Sequence, residues 1–183
     1  MSILKALTLM TAAVCAWASA GAETNLGHWS VAFTHDKSSI YASTFNDSGA
    51  VLGEWCSFST KSCTWMMGTD TGCKTEHVYP VLANSDQGAA HLDLICRGPI
   101  AGTGYGNTYA YAFSTVADLQ AAMKKGLIVG IAAPMKQDQF RVYRFNLDGA
   151  MAASQQAEAQ FFKALNERKT RSAANLGAPT EAL

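Results

Sequence analysis

The feature that most constrains this chain is a group of four cysteines, Cys56, Cys63, Cys73 and Cys96, placed downstream of an apolar leader. Met1 to Lys5 carries one positive charge, Ala6 to Trp17 is apolar and uncharged, and Ala18-Ser19-Ala20 is a small-x-small site. That is the three-part secretory pattern, so residues 1–20 are expected to leave as a signal peptide. Ala20-Gly21-Ala22 satisfies the same rule and offers an alternative cut after Ala22. A transmembrane helix needs about 20 apolar residues; here the run gives way to Gly21-Ala22-Glu23-Thr24, so no stable membrane insertion is expected. Cys15 follows Val14 rather than the small residue of a lipobox, which argues against a lipid anchor.

Export fixes what the cysteines are for. In a periplasmic or extracellular space an even set of four pairs into disulfides, with three connectivities open. Cys56 and Cys63 flank a polar turn, Ser57 to Ser62, between Trp-bearing segments. Cys73 and Cys96 flank two strand-like runs around Asn84-Ser85-Asp86-Gln87-Gly88. The expected bridges are therefore Cys56 with Cys63 and Cys73 with Cys96, the longer loop contributing roughly 3 kcal/mol. A zinc site built from these thiols with His77 or His91 would need a tight C-x2-C or H-x3-H pair, which is absent. No metal and no cofactor is expected.

Residues 21–170 are enough for one domain with a sizeable core. Formal charge is zero over the chain, which removes the usual argument for nucleic acid as a partner.

Periodicity favours strands first and helices late. Trp29, Val31 and Phe33 alternate with Ser30, Ala32 and Thr34, the pattern of a half-buried strand. Runs over Ser39 to Phe45, Val51 to Phe58 and Cys63 to Met67 complete a meander of short antiparallel strands, punctuated by His35 to Ser38 and Asn46 to Gly49. Glu76 to Ala83 and Ala90 to Arg97 follow, with Pro80 placing its strand at an edge or bulge. From Gly98 to Asn107 glycine is frequent and hydrophobic period is lost, which predicts a mobile loop. The loop lacks the Lys-Ser/Thr of a phosphate cradle, and strand-like Tyr109 to Phe113 follows instead of a helix.

Ser114 or Thr115 starts a short helix near 115–125, with Val116, Leu119, Ala122 and Met123 on one face and Gly126 as its stop. Leu127 to Ala133 and Phe140 to Phe145 form two more strands. A last helix begins near Asn146 or Asp148 and carries a stripe of Ala150, Ala157, Phe161 and Leu165 that packs on the sheet. Residues 171–183 are expected to be a disordered tail. The fold class is mainly β (α+β): an antiparallel sheet or sandwich of about eight strands with two helices.

Chemistry-bearing residues are few. No G-x-S-x-G occurs, and the thiols are better explained by pairing. His35 beside Asp36 sits in a turn, where an exposed histidine is ordinarily inert. Asp70 in Gly68-Thr69-Asp70-Thr71-Gly72 repeats the aspartic-protease triplet without a second copy. His91 and Asp93 share one strand face by their spacing, with His77 opposite if the hairpin register allows; this trio is the one candidate for a small periplasmic hydrolase. Trp55, Trp65, Tyr105 and Tyr109 are the candidates for an aromatic binding face, against which stands their use in the core.

The start at Trp29-Ser30-Val31, the cysteine-bearing meander and the ending Phe145-Asn146-Leu147-Asp148-Gly149-Ala150-Met151-Ala152 together resemble the invasion-associated locus B group of exported bacterial proteins. Leu147, Gly149 and Ala153 fall in register with the late helix motif of that group; the cysteine spacing and the glycine loop depart from it. The resemblance implies a non-enzymatic periplasmic or surface protein that contacts another protein or an envelope component, with no catalytic residue to carry over. An immunity protein or enzyme inhibitor differs from that reading only in its partner.

Overall fold

The computed structural model describes residues 23–100, 108–124, 126–134 and 139–176, the last five through their backbone alone. Tyr105, the leader and residues 177–183 lie outside the described residues.

Ten strands form one sheet in which every paired neighbour is antiparallel. In chain order they are β1 (Thr24–Leu26), β2 (Trp29–Phe33), β3 (Ser39–Phe45), β4 (Val51–Ser57), β5 (Ser62–Thr69), β6 (Val78–Ser85), β7 (Gly88–Ile100), β8 (Thr108–Phe113), β9 (Ile128–Pro134) and β10 (Phe140–Asn146). Their order across the sheet is β1-β2-β3-β4-β5-β8-β7-β6-β9-β10. The class agrees with the sequence pattern, while the strand count exceeds the expected eight. β1 is too short to show a period, and it exists because Thr24 to Leu26 pairs with Trp29 to Val31.

Two further expectations are corrected. Pro80 does not lie on an edge strand, since β6 sits between β7 and β9. The β6–β9 ladder covers only Leu82 to Ser85, so Pro80 lies where no N–H is needed on that side. The glycine-rich segment also begins later than expected: Gly98, Pro99 and Ile100 continue β7 opposite Ala110, Tyr109 and Thr108, after an irregularity between Cys96 and Gly98.

The sheet curls until its two ends meet. The backbone N–H of His28 donates to Asp148 O at 3.0 Å, and Trp29 Nε1 donates to Asn146 O at 2.9 Å. The core fills the inner face with Trp29, Trp65, Met67, Leu92, Leu94, Tyr143 and Phe145. Helix α1 (Val116–Met123) buries Leu119, Ala122 and Met123 there and packs on β6, β7 and β9. Its start gains no side-chain cap from Thr115; the Ser114 hydroxyl donates instead to Asp93 O. Helix α2 (Ala150–Leu176) runs past Thr170, where the sequence pattern places the tail. It lays Ala150, Ala153, Ala157 and Phe161 against β1 to β4. Its approach requires Gly149, whose φ is 86° and whose Cβ would collide with Leu26 O.

The disulfides are Cys56–Cys63 and Cys73–Cys96. The first joins directly opposed residues of β4 and β5; the second ties the segment before β6 to β7.

Candidate functional site

Strand alternation sends Glu54 inward and Trp55 outward, so β4 separates two environments. The outer face of β3, β4, β5 and β8 carries an open trough enclosing about 750 Å³. Its residues line up in cross-strand rows. Ser39, Ser57 and Ser62 form a hydroxyl row at one end, and Tyr41, Trp55 and Thr64 form the next. Then come Ser43, Gly53, Met66 and Ala112, and finally Phe45, Val51, Gly68 and Ala110. At about 3.4 Å per residue these rows span about 20 Å along the strands.

Tyr41 and Trp55 stack with ring centroids 6.1 Å apart and planes 26° apart, which makes a flat aromatic wall. The floor is made of small residues. A Cβ on Gly68 would approach Val51 Cγ1 to 2.7 Å, and one on Gly53 would collide with Ala42 O. Both helices pack on the other face, so neither fills this trough. None of the described residues that line it is Asp, Glu, Lys, Arg or His.

On the inner side of the same strand, Glu54 is 3 % exposed and stands in the row Val31, Ala42, Glu54, Trp65. Ser154 of α2 donates its hydroxyl to Glu54 Oε2 at 2.6 Å. Burial pushes the carboxyl up to about 7, and the charge of Glu158 one helical turn beyond Ser154 adds to the rise. Trp65, its cross-strand neighbour, leaves its buried Nε1 without a hydrogen-bond partner within 3.5 Å. Glu54 also lies within 4.8 Å of Sγ of Cys56 and Cys63. Those sulfurs are bonded to each other, so they are not thiolate ligands.

The aromatic candidates divide between the two faces. Trp55 lines the trough. Trp65 is 1 % exposed and packs edge-on against Trp29 at 5.9 Å; it is a core residue, because its neighbour Thr64 takes the outward position opposite Trp55. Tyr109 likewise faces inward, packed on the core while Ala110 lies in the trough.

The histidine candidates are not brought together. His91 is opposite Leu82, five residues from His77, which is about 17 Å along the strand. His77 stands beside Cys96, whose N–H donates to His77 O, and Cys96 faces the core. That parity puts His77 on the side opposite His91 and Asp93. The trio therefore cannot share a proton relay. Asp36 is explained by its turn: Thr34 Oγ1 and the Ser38 N–H donate to its carboxylate and hold it at about 2. Asp70 pairs with Arg141 at 2.8 Å on the surface, which accounts for that triplet without catalysis.

Sequence reasoning missed Tyr41, Val51 and Met66 as trough residues. The available signal was that Tyr41, Phe45, Val51, Trp55 and Met66 fall at outward positions of β3 to β5, on the face opposite the core. Glu54 also had a signal, as the one charge in Val51 to Cys56 at a core-facing position.

No family model matches this chain, and no curated protein does. Among solved structures it is similar to invasion associated protein B from Bartonella henselae, at 16 % identity and a TM-score of 0.49, covering 76 % of this chain and 97 % of that one. The likeness is one of fold only.

Proposed function

We propose that this chain is an exported, non-enzymatic binding protein of the bacterial envelope that holds an envelope component in the trough over β3, β4, β5 and β8. The observation that carries the reading is the concave, uncharged, aromatic-walled face itself, since a folded domain rarely leaves such a face open without a use. The scatter of His77, His91 and Asp93 supports binding over hydrolysis. The paired cysteines and the absence, among the described residues, of a helix apolar enough to span a membrane fit life outside the cytoplasm.

A photo-cross-linker at Thr64, inside the trough, tests this against the same group at Gln155 on the exposed side of α2. Envelope adducts at position 64 and none at 155 are expected. Equal capture at both positions, or none at 64, overturns the reading.

A second reading, contact with another protein or inhibition of an enzyme, is favoured by a different surface. Leu82, Phe140 and Val142 are exposed on the outer face of β6 and β10, Phe140 to 71 %. β10 ends the sheet order, so its far edge has no strand partner among the described residues. An exposed apolar edge is where a polypeptide adds a strand.

A further inference from the structure

The trough also carries information about what fills it, an inference that rests on the binding reading above. Three properties of its lining bear on the occupant. Among the described residues its lining has no ionisable side chain other than Tyr41, so a charged ligand would lose its hydration with no countercharge from them to meet it. Its polarity is graded: one end is the hydroxyl row Ser39, Ser57 and Ser62, and the other is Phe45, Val51, Gly68 and Ala110. Its floor offers few hydrogen bonds. β4 and β5 are each paired on both sides, so their backbone groups are committed to the sheet, and among the described lining residues beyond Trp55 only Ser43 and Thr108 carry a side-chain hydroxyl.

The last property separates a polypeptide from a hydrocarbon. An extended peptide brings an N–H and a C=O every residue, each of which is costly to bury unpaired. A trough with a committed floor leaves those groups unmatched, whereas an acyl chain has none to match. Apolar chain over apolar floor is then favoured by burial alone. Gly53 and Gly68 let the β3 backbone and the side chains of Val51, Thr108 and Ile100 close over the floor, and the Tyr41–Trp55 wall supplies rigid contact area at small entropic cost.

We propose that the trough takes the hydrocarbon chain of an uncharged, single-chain amphiphile, with its hydroxylated headgroup at the Ser39–Ser57–Ser62 row and its tail running over Met66 and Val51 towards Ala110. A neutral glycerol ester is the simplest member of this class. The headgroup is recognised by hydroxyl-to-hydroxyl hydrogen bonds and the tail by shape and dryness.

The test is a fluorescence titration of the purified protein with monopalmitoylglycerol, palmitate at pH 8 and a blocked Val-Ala-Val-Ala-Val peptide, all below their aggregation concentrations. Trp55 is the reporter, because Trp29 and Trp65 are buried in the core. Monopalmitoylglycerol should saturate at one equivalent and shift the emission to the blue, with the change lost in Trp55→Phe. Palmitate should bind at least tenfold more weakly, and the peptide should not compete. Met66→Arg, which puts a cation midway along the trough, should weaken the ester at least tenfold. Ser62→Arg, which puts a cation in the headgroup row at an exposed position, should strengthen palmitate several-fold and raise its affinity relative to the ester. That gain is a result that misfolding cannot produce. Palmitate binding as tightly as the ester, the peptide displacing it, or an ester affinity indifferent to Met66→Arg would each overturn the assignment. If no amphiphile binds while the cross-linker at Thr64 still captures an envelope protein, the ligand class falls and the binding reading stands. If neither occurs, both fall.

Discussion

Replacing Glu54 by Gln should stabilise this protein at neutral pH, and the gain should vanish in acid. The carboxyl is enclosed by Leu52, Cys56, Ala42 and Trp65 on the sheet and by α2 above, with one compensating bond from Ser154. Its folded value is raised to about 7 from an ordinary 4.5. Below 4.5 both folded and unfolded chains hold the proton, so the group costs nothing. Between 4.5 and 7 the unfolded chain releases it while the folded chain keeps it, so stability falls as pH rises; above 7 the loss is complete. At about 1.4 kcal/mol per unit this amounts to about 3 kcal/mol. Gln keeps the volume and an oxygen for Ser154 and removes the titration. For a domain of this size each kcal/mol moves Tm by about 2–4 °C, so Glu54→Gln should raise Tm at pH 8 by roughly 6–12 °C and leave it unchanged at pH 4. Glu158→Gln should give a smaller gain at pH 8, since it withdraws only the second charge. Thermal unfolding followed by circular dichroism from pH 4 to 8 measures both. A Glu54→Gln protein that is no more stable at pH 8, or that keeps the wild-type slope between pH 4.5 and 7, refutes the reasoning.

Other expectations follow from the same geometry. Removing the Cys73–Cys96 bridge by paired Ala substitutions should cost about 3 kcal/mol in urea unfolding, and the shorter Cys56–Cys63 loop somewhat less; a protein begun at Gly21, without Cys15, should show no thiol to Ellman's reagent. In a protein begun at Gly21, which omits Trp17, iodide should quench one class of tryptophan, and Trp55→Phe should abolish that class, leaving Trp29 and Trp65 protected. Arg141→Ala breaks an ion pair with Asp70 whose partners are both exposed, so Tm should move by no more than about 2 °C. His77→Ala and His91→Ala, made together, should leave both stability and cross-linking at Thr64 unchanged.

The parts of the fold legible in the sequence are those carried by local pattern. The β2 to β5 meander, the hairpin about Asn84 to Gly88, the four-residue face of α1 and the stripe of α2 each rest on alternation or helical spacing within one segment. Both disulfides followed from the turns they flank. What local pattern could not supply is parity between distant strands. His77, His91 and Asp93 look like a cluster until the β6–β7 register sets Leu82, not a residue near His77, opposite His91. Trp55 and Trp65 look like one aromatic face until the β4–β5 register pairs Trp55 with Thr64 and turns Trp65 inward. One residue of register reverses a face, so a binding surface spread over four strands is invisible until every pairing is known. The trough also inverts the usual inference from burial. Ser43, Gly53, Gly68 and Ala110 are buried although their strand positions point away from the core; Val51, Thr108 and Ile100 close over Gly68, and the β3 backbone closes over Gly53.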